Sequence, residues 1–157
     1  MTNETYFVRH GEWKYESDGE SQRLTFAGKR QAVKAARELM GRISENQINV
    51  YSSPVRRVHE TAKFITETMK RDGRSVNLEI VLELGENFGL NYDRPSNEVD
   101  CAYQTLKNKL DSSNYPVVAV THDTVIQELY PEHKAVVYCE IVPINMPTER
   151  DTSWGDL

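Results

Sequence analysis

Apolar positions along this chain fall into short unbroken runs that alternate with stretches of helical spacing. The first run, 5–8, is Thr-Tyr-Phe-Val, wholly β-branched or aromatic, and predicts a buried strand. The polar stretch 13–23 has no apolar period and reads as a long surface loop. Thr25 then caps a helix whose Ala32, Ala35, Ala36, Leu39, Met40 and Ile43 share one face. A second strand over 48–51 leads into Ser52-Ser53-Pro54, where serine as cap and proline at the first helical position announce a helix that carries Val58, Ala62, Ile65 and Met69 inward. Asp72-Gly73 ends it, and 76–82 alternates as a third strand.

The segment 83–97 is irregular and rich in Gly, Asn and acid. Ser96 or Asn97 caps a third helix with a buried stripe of Val99, Ala102, Tyr103, Leu106 and Leu110, and Pro116 excludes its continuation. The continuous apolar run 117–120 is the most deeply buried strand expected; a short helix over 125–130 and a last strand over 135–144 follow. Strands alternating with helices imply an α/β fold, a parallel sheet with helices on both faces and right-handed crossovers.

A chain of 157 residues supports one domain with a sizeable core. We expect that domain over 1–144, with 145–157 a loosely attached tail. A net charge of -5 carries no nucleic-acid footprint and no polybasic membrane patch. No apolar run approaches membrane-spanning length, and the polar start Met1-Thr2-Asn3-Glu4 is not an export signal, so a cytoplasmic protein is expected. Cys101 falls in an amphipathic helix and Cys139 in a buried strand, where two reduced core thiols are expected rather than a disulfide.

The candidate chemistry sits where apolar runs end. Arg9, His10 and Gly11 follow the first strand, and the carboxyl edge of an open α/β sheet is where ligands bind. An imidazole beside a guanidinium is a nucleophile next to an anion holder, a pairing suited to phosphoryl transfer. Arg57, in the first turn of the second helix, lies at the same rim, where free amides favour anions. Its neighbour Arg56 is in register for either role. His122 follows the fourth strand at once, while His59 and His133 fall in helix and loop contexts and read as surface residues. His10 and His122 have no third ligand spaced to complete a metal site, so neither a metal nor another cofactor is expected.

Four motifs carry a resemblance in order along the chain: Arg9-His10-Gly11-Glu12; Leu24-Thr25-Phe26-Ala27-Gly28; Ser52-Ser53-Pro54-Val55-Arg56-Arg57 with Thr61-Ala62; and Val118-Ala119-Val120-Thr121-His122. They resemble the successive motifs of the histidine phosphatase superfamily, which includes the phosphoglycerate mutases. The resemblance implies a three-layer α/β/α sandwich with a mostly parallel central sheet and a site that works without metal. It implies that His10 becomes phosphohistidine and that Arg9, Arg57 and His122, with Gly11, surround the phosphoryl group. Two unit charges ~4 Å apart interact by about 4 kcal/mol at an effective dielectric of ~20, so a nearly dianionic phosphoryl group outweighs the mutual repulsion of such cations. Before it binds, the arginines disfavour protonation of His10 and leave a nitrogen free to attack.

The proton donor has two candidates. Thr121-His122-Asp123-Thr124 looks like the His-Asp motif of the acid phosphatase and phytase branch, in which the aspartate gives the proton, although Glu12-Trp13-Lys14 does not resemble that branch. The other branch uses a glutamate after the third strand, and Leu82-Glu83-Leu84-Gly85-Glu86 offers Glu83, with Glu86 second. The expected activity is phosphomonoester hydrolysis through phosphohistidine. Its substrate is a phosphorylated small molecule or, given a compact 24–28 entry that looks like the small phosphohistidine phosphatases of bacterial signalling, a phosphoprotein. A mutase-like phosphoryl transferase is the alternative enzyme; a non-catalytic phosphate- or phosphoprotein-binding module is the alternative from another class, served as well by arginine or lysine in place of His10. The sequence leaves the oligomeric state open.

Overall fold

The computed structural model describes residues 4–15, 22–85, 96–132 and 136–144, with the backbone alone for Tyr15 and 96–101. In chain order the elements are β1 (Thr5–Arg9), β2 (Trp13–Tyr15), β3 (Gln22–Leu24), α1 (Phe26–Arg42), β4 (Gln47–Ser52), α2 (Arg56–Arg71), β5 (Ser75–Ile80), a 3-10 turn (Leu82–Leu84), α3 (Ser96–Asp111), β6 (Val117–Thr121), α4 (Asp123–Leu129) and β7 (Ile141–Ile144). The central sheet has the order β5-β4-β6-β1-β7. Its first four strands are parallel, and β7 runs antiparallel to β1 at one end.

The alternation of side chains sorts the core into two layers. Tyr6 and Val8 of β1, Ile48 and Val50 of β4, and Val118 and Val120 of β6 pack under α1 and α2 with Ala32, Ala36, Leu39, Val58, Ala62, Ile65 and Met69. Phe7, Tyr51, Val117 and Ala119, on the other pleat, pack under α3 and α4 with Tyr103, Leu106, Leu110, Val125, Ile126 and Leu129. The result is the expected α/β/α sandwich. The chain leaves β1 towards α1 on one face and leaves β6 towards α4 on the other. Those two strands are neighbours, with Arg9 opposite Thr121, so a crevice opens between their carboxyl ends, as at the switch point of any doubly wound sheet.

Several local expectations are corrected. The stretch 13–23 is not loop throughout: β2 and β3 pair as antiparallel strands, Trp13 opposite Leu24 and Lys14 opposite Arg23. Its short alternation, Leu24 buried and Lys14 and Arg23 exposed, is hidden in the sequence by the polar residues between. Helix α2 begins at Arg56 rather than at Pro54, with no side-chain cap; the Ser53 hydroxyl accepts from the Val55 amide and lies 3.0 Å from a ring nitrogen of His122 instead. The third strand stops at Ile80, and Leu82 belongs to the 3-10 turn. Helix α4 begins at Asp123, two residues early. The last strand is only Ile141–Ile144, because Val137 to Glu140 close a turn in which Cys139 takes φ 55°. Cys139 is a buried free thiol, in that turn and not in a strand; the side chain of Cys101, residues 86–95 and the tail 145–157 lie outside the described residues.

Two glycines make the junction behind the crevice. A Cβ on Gly28 would sit 2.1 Å from the Glu12 carbonyl oxygen, and one on Gly11 would sit 2.8 Å from that of Gly28. Both obstacles are backbone and cannot rotate away. By contrast, a Cβ on Gly41, near the exposed end of α1, would meet nothing within 4 Å. Gly28→Ala is therefore expected to cost at least about 2 kcal/mol of stability, whereas Gly41→Ala should gain about 0.5–1 kcal/mol. Urea unfolding of both variants checks the contrast; equal effects would mean that the junction is not tightly packed.

Candidate active site

His10 and His122 are the residues that immediately follow the paired ends of β1 and β6. The His10 amide continues the ladder to the Thr121 carbonyl at 3.0 Å, and the two rings meet edge to face with centroids 5.7 Å apart. Both are buried, His10 at 3% exposure and His122 at 0%. The turn after His10 is tied on several sides. The Gly11 amide donates to the Thr61 hydroxyl at 3.0 Å, that hydroxyl donates to the Arg57 carbonyl, the Glu12 amide donates to the Gln31 side-chain oxygen, and the Thr25 amide donates to the Glu12 carbonyl. The starts of α1 and α2 are thus fixed against the histidine that follows β1.

His10 Nδ1 lies 2.9 Å from the Gly11 carbonyl oxygen. A carbonyl only accepts, so Nδ1 carries the proton and the neutral ring leaves its lone pair on Nε2. Burial pushes His10 down to about 4; the Gly11 hydrogen bond opposes this, and the Arg57 and Arg9 charges add to it. His122 is pushed down to about 3 by burial, then by Arg57, His10 and Arg9. At neutral pH both rings are therefore uncharged. His122 is thus a polar neighbour and not the cation expected of a phosphoryl holder; a bound dianion would draw a proton back.

The guanidiniums enter from two elements. Arg9, at the end of β1, donates from Nη1 to the Val136 carbonyl at 2.7 Å, lies 4.3 Å from the centre of the Tyr138 ring and has Nη2 3.7 Å from Asp123 Oδ2. Arg57, in the first turn of α2, donates to the Gln22 side-chain oxygen and lies 4.7 Å from the Trp13 ring centre. That turn contains Arg56 and Arg57 and no acid. A helix start prefers acids by 0.3–1 kcal/mol, roughly, so α2 gives up local stability for a field that favours anions.

The structure brings together Arg9, His10, Gly11, Arg57, His122 and Asp123. Asp123 opens α4, with Oδ1 accepting from the Thr124 amide and Oδ2 towards Arg9. Glu83 lies in the 3-10 turn; the Lys109 ammonium is held charged chiefly by Glu79, 2.7 Å away, and Glu83 adds only a weaker charge. The turn is anchored to the crevice by the Thr121 hydroxyl, which donates to the Leu84 carbonyl at 2.5 Å. Glu86 and His133 lie outside the described residues. Arg56 is exposed, and His59 is half-buried, its ring lowered by burial and by Lys63. Sequence reasoning missed Trp13, Gln22, Ser53, Val136 and Tyr138. The first two could have been found from the alternation flanking 16–21, but the others meet the site only through tertiary contacts. Among the described residues no three His, Cys, Asp or Glu gather as metal ligands, and no helix is long and apolar enough to cross a membrane.

The family model described as histidine phosphatase superfamily (branch 1) matches residues 5–107. No curated protein sequence matches the chain. Among solved structures, the protein histidine phosphatase SixA complexed with tungstate is similar with a TM-score of 0.65 and 16% identity over 90% of this chain and 87% of that one. A mycobacterial glucosyl-3-phosphoglycerate phosphatase gives 0.59 and 16%, covering 91% of each chain. A phosphoserine phosphatase from Entamoeba histolytica in complex with 3-phosphoglyceric acid gives 0.55 and 18%, over 97% of this chain and 99% of that one. At these identities the likeness is one of fold.

The lowered histidines make a stability prediction. An unfolded histidine titrates near 6.5; because the folded values are below that, the unfolded chain binds more protons between about 6.5 and the folded values of about 4 and 3. Stability is then fully present above pH 6.5 and falls as the pH drops through this window, by up to about 1.4 kcal/mol per pH unit for each ring. Urea unfolding at pH 7.5, 6 and 5 should show this slope, reduced in His122→Asn. An unchanged slope in that variant would mean that His122 is not buried neutral.

Proposed function

Because this chain belongs to the histidine phosphatase superfamily, we propose that it is a phosphomonoester hydrolase that works through a covalent phosphohistidine on His10, without a metal. The observation that carries this reading is the hydrogen bond from His10 Nδ1 to the Gly11 carbonyl beside two guanidiniums. It leaves Nε2 as an unprotonated nucleophile where Arg9 and Arg57 hold an anion. Nε2 attacks phosphorus, the bond from phosphorus to the ester oxygen breaks, and its electron pair leaves on that oxygen with a proton from a nearby acid. Water then attacks the phosphohistidine, gives a proton to the same carboxylate, and releases phosphate with His10 restored. Gly11 and His122 complete the phosphoryl pocket, and the guanidiniums supply the positive charge that a metal would otherwise provide.

Asp123 is the acid we assign, with Glu83 its rival. Asp123 follows His122 directly, lies 3.7 Å from the Arg9 guanidinium and is close enough for its charge to act on His10, whereas Glu83 sits in the 3-10 turn after β5. The names of the similar structures, a protein histidine phosphatase and phosphatases of glucosyl-3-phosphoglycerate and phosphoserine, support a phosphorylated small molecule or a phosphoprotein as substrate. A cytoplasmic location and a single catalytic domain over 1–144 with a tail over 145–157 belong to the same reading.

Turnover of phenyl phosphate and of an alkyl phosphate, with a chelator present, tests it. The wild type should hydrolyse both, and His10→Ala should hydrolyse neither while still binding inorganic phosphate. An alkoxide needs its proton far more than a phenoxide does, so Asp123→Asn should lose at least about tenfold more rate on the alkyl ester than on the aryl ester, and Glu83→Gln should not discriminate. Equal losses on both esters in Asp123→Asn would remove it from the donor role. Phosphate binding without turnover in the wild type would favour a binding module.

A further inference from the structure

Arg9 faces two competing sets of partners. On one side are the Val136 carbonyl and the Tyr138 ring; on the other is the Asp123 carboxylate, whose Oδ2 stands 3.7 Å from Nη2. A charge-assisted pair closes to about 2.7–2.9 Å when nothing restrains it, so at 3.7 Å this one is held open. We propose that Tyr138 is a positioning residue that holds the Arg9 guanidinium back from Asp123 and turned to the phosphoryl group, a role that rests on the phosphatase reading of the site.

The backbone around Tyr138 is built for this. Val136 and Tyr138 belong to one short strap between α4 and β7, and both act on the same guanidinium. The strap is pinned to the end of β1 by the Cys139 amide, which donates to the Arg9 carbonyl at 2.9 Å, and closed by the Glu140 amide donating to the Val137 carbonyl at 3.0 Å. It turns through Cys139 at φ 55°, a left-handed conformation costing a side chain of this kind on the order of 1 kcal/mol. Left-handed backbone at a residue that is neither Gly, Asn nor Asp is maintained where surrounding structure over-determines it. Here that conformation accompanies a Tyr138 ring centred 5.9 Å from the His10 ring and under Arg9. A ring face attracts a guanidinium without neutralising it, whereas a closed pair with Asp123 would cancel the charge that the anion needs.

Inorganic phosphate binding by calorimetry, measured on the whole chain, separates this from a merely structural role. Tyr138→Phe keeps the ring and should bind phosphate within about twofold of wild type. Tyr138→Leu should bind about tenfold more weakly and raise KM for phenyl phosphate more than it lowers kcat; Tyr138→Met serves as the ring-free variant if the leucine form does not fold. The deciding measurement is the same substitution in an Asp123→Asn background, where the competing charge is gone and the loss should shrink to about threefold or less. A loss as large with Asn at 123 as with Asp, or a phenylalanine variant as weak as the leucine one, or a leucine variant that binds like wild type, would overturn the role. A wild type that neither turns over phenyl phosphate nor binds phosphate would instead overturn the phosphatase reading, and the role with it.

Discussion

The hydrogen bond from His10 Nδ1 to the carbonyl of the next residue is the contact on which the rest of this site depends. It decides which nitrogen carries the proton, and so which one can attack. For a residue's own successor to offer that carbonyl, the backbone must turn sharply just after β1 and be held there. Gly11 makes the turn possible because a side chain would strike the backbone of Gly28, and Gly28 is glycine because it packs on Glu12 in the same way. The Thr61 hydroxyl then accepts from the Gly11 amide and donates a hydrogen bond to the Arg57 carbonyl. His10, the helix that supplies the second guanidinium and the start of α1 are in this sense one assembly.

Two arginines at the rim of a sheet, beside a helix start with no acid in its first turn, add to the burial that keeps both imidazoles neutral. The chain does not relieve this with close carboxylates around Arg9. It uses a peptide carbonyl and an aromatic face, and leaves Asp123 at arm's length. The histidines bear the cost by remaining neutral, which is the protonation state that a nucleophile needs. Stability and function pull in opposite directions here, and the two-layer core of the sandwich supplies the stability that the rim gives up.

Much of this was legible in the sequence because it is local. The run Val117 to Val120 is buried on both pleats and reads as a central strand on composition alone; Thr25 caps α1 by accepting from the Gly28 amide, as its position before an apolar period implies. Arg9, His10 and His122 stand out because each breaks off an apolar run at a strand end. What the sequence concealed depends on contacts between distant segments. Ser53 resembles a helix cap, yet its hydroxyl faces His122 across the crevice, and α2 starts only at Arg56. The stretch before β7 has the composition of a strand, but its backbone is drawn onto Arg9 and His10 and turns at Cys139 instead. Tyr138 carries no local mark of its place beside His10. The choice between Asp123 and Glu83 was equally closed to sequence, since it rests on which carboxylate reaches the leaving oxygen.

The most direct test of the account is to trap the enzyme during turnover of phenyl phosphate by rapid quench into alkaline denaturant and to locate the phosphoryl group by phosphorus NMR and peptide mapping. The tautomer fixed by the Gly11 carbonyl predicts an alkali-stable, acid-labile phosphoryl group on Nε2 of His10. A phosphoryl group on Nδ1, on a serine such as Ser53, or on no residue at all during steady turnover would contradict it.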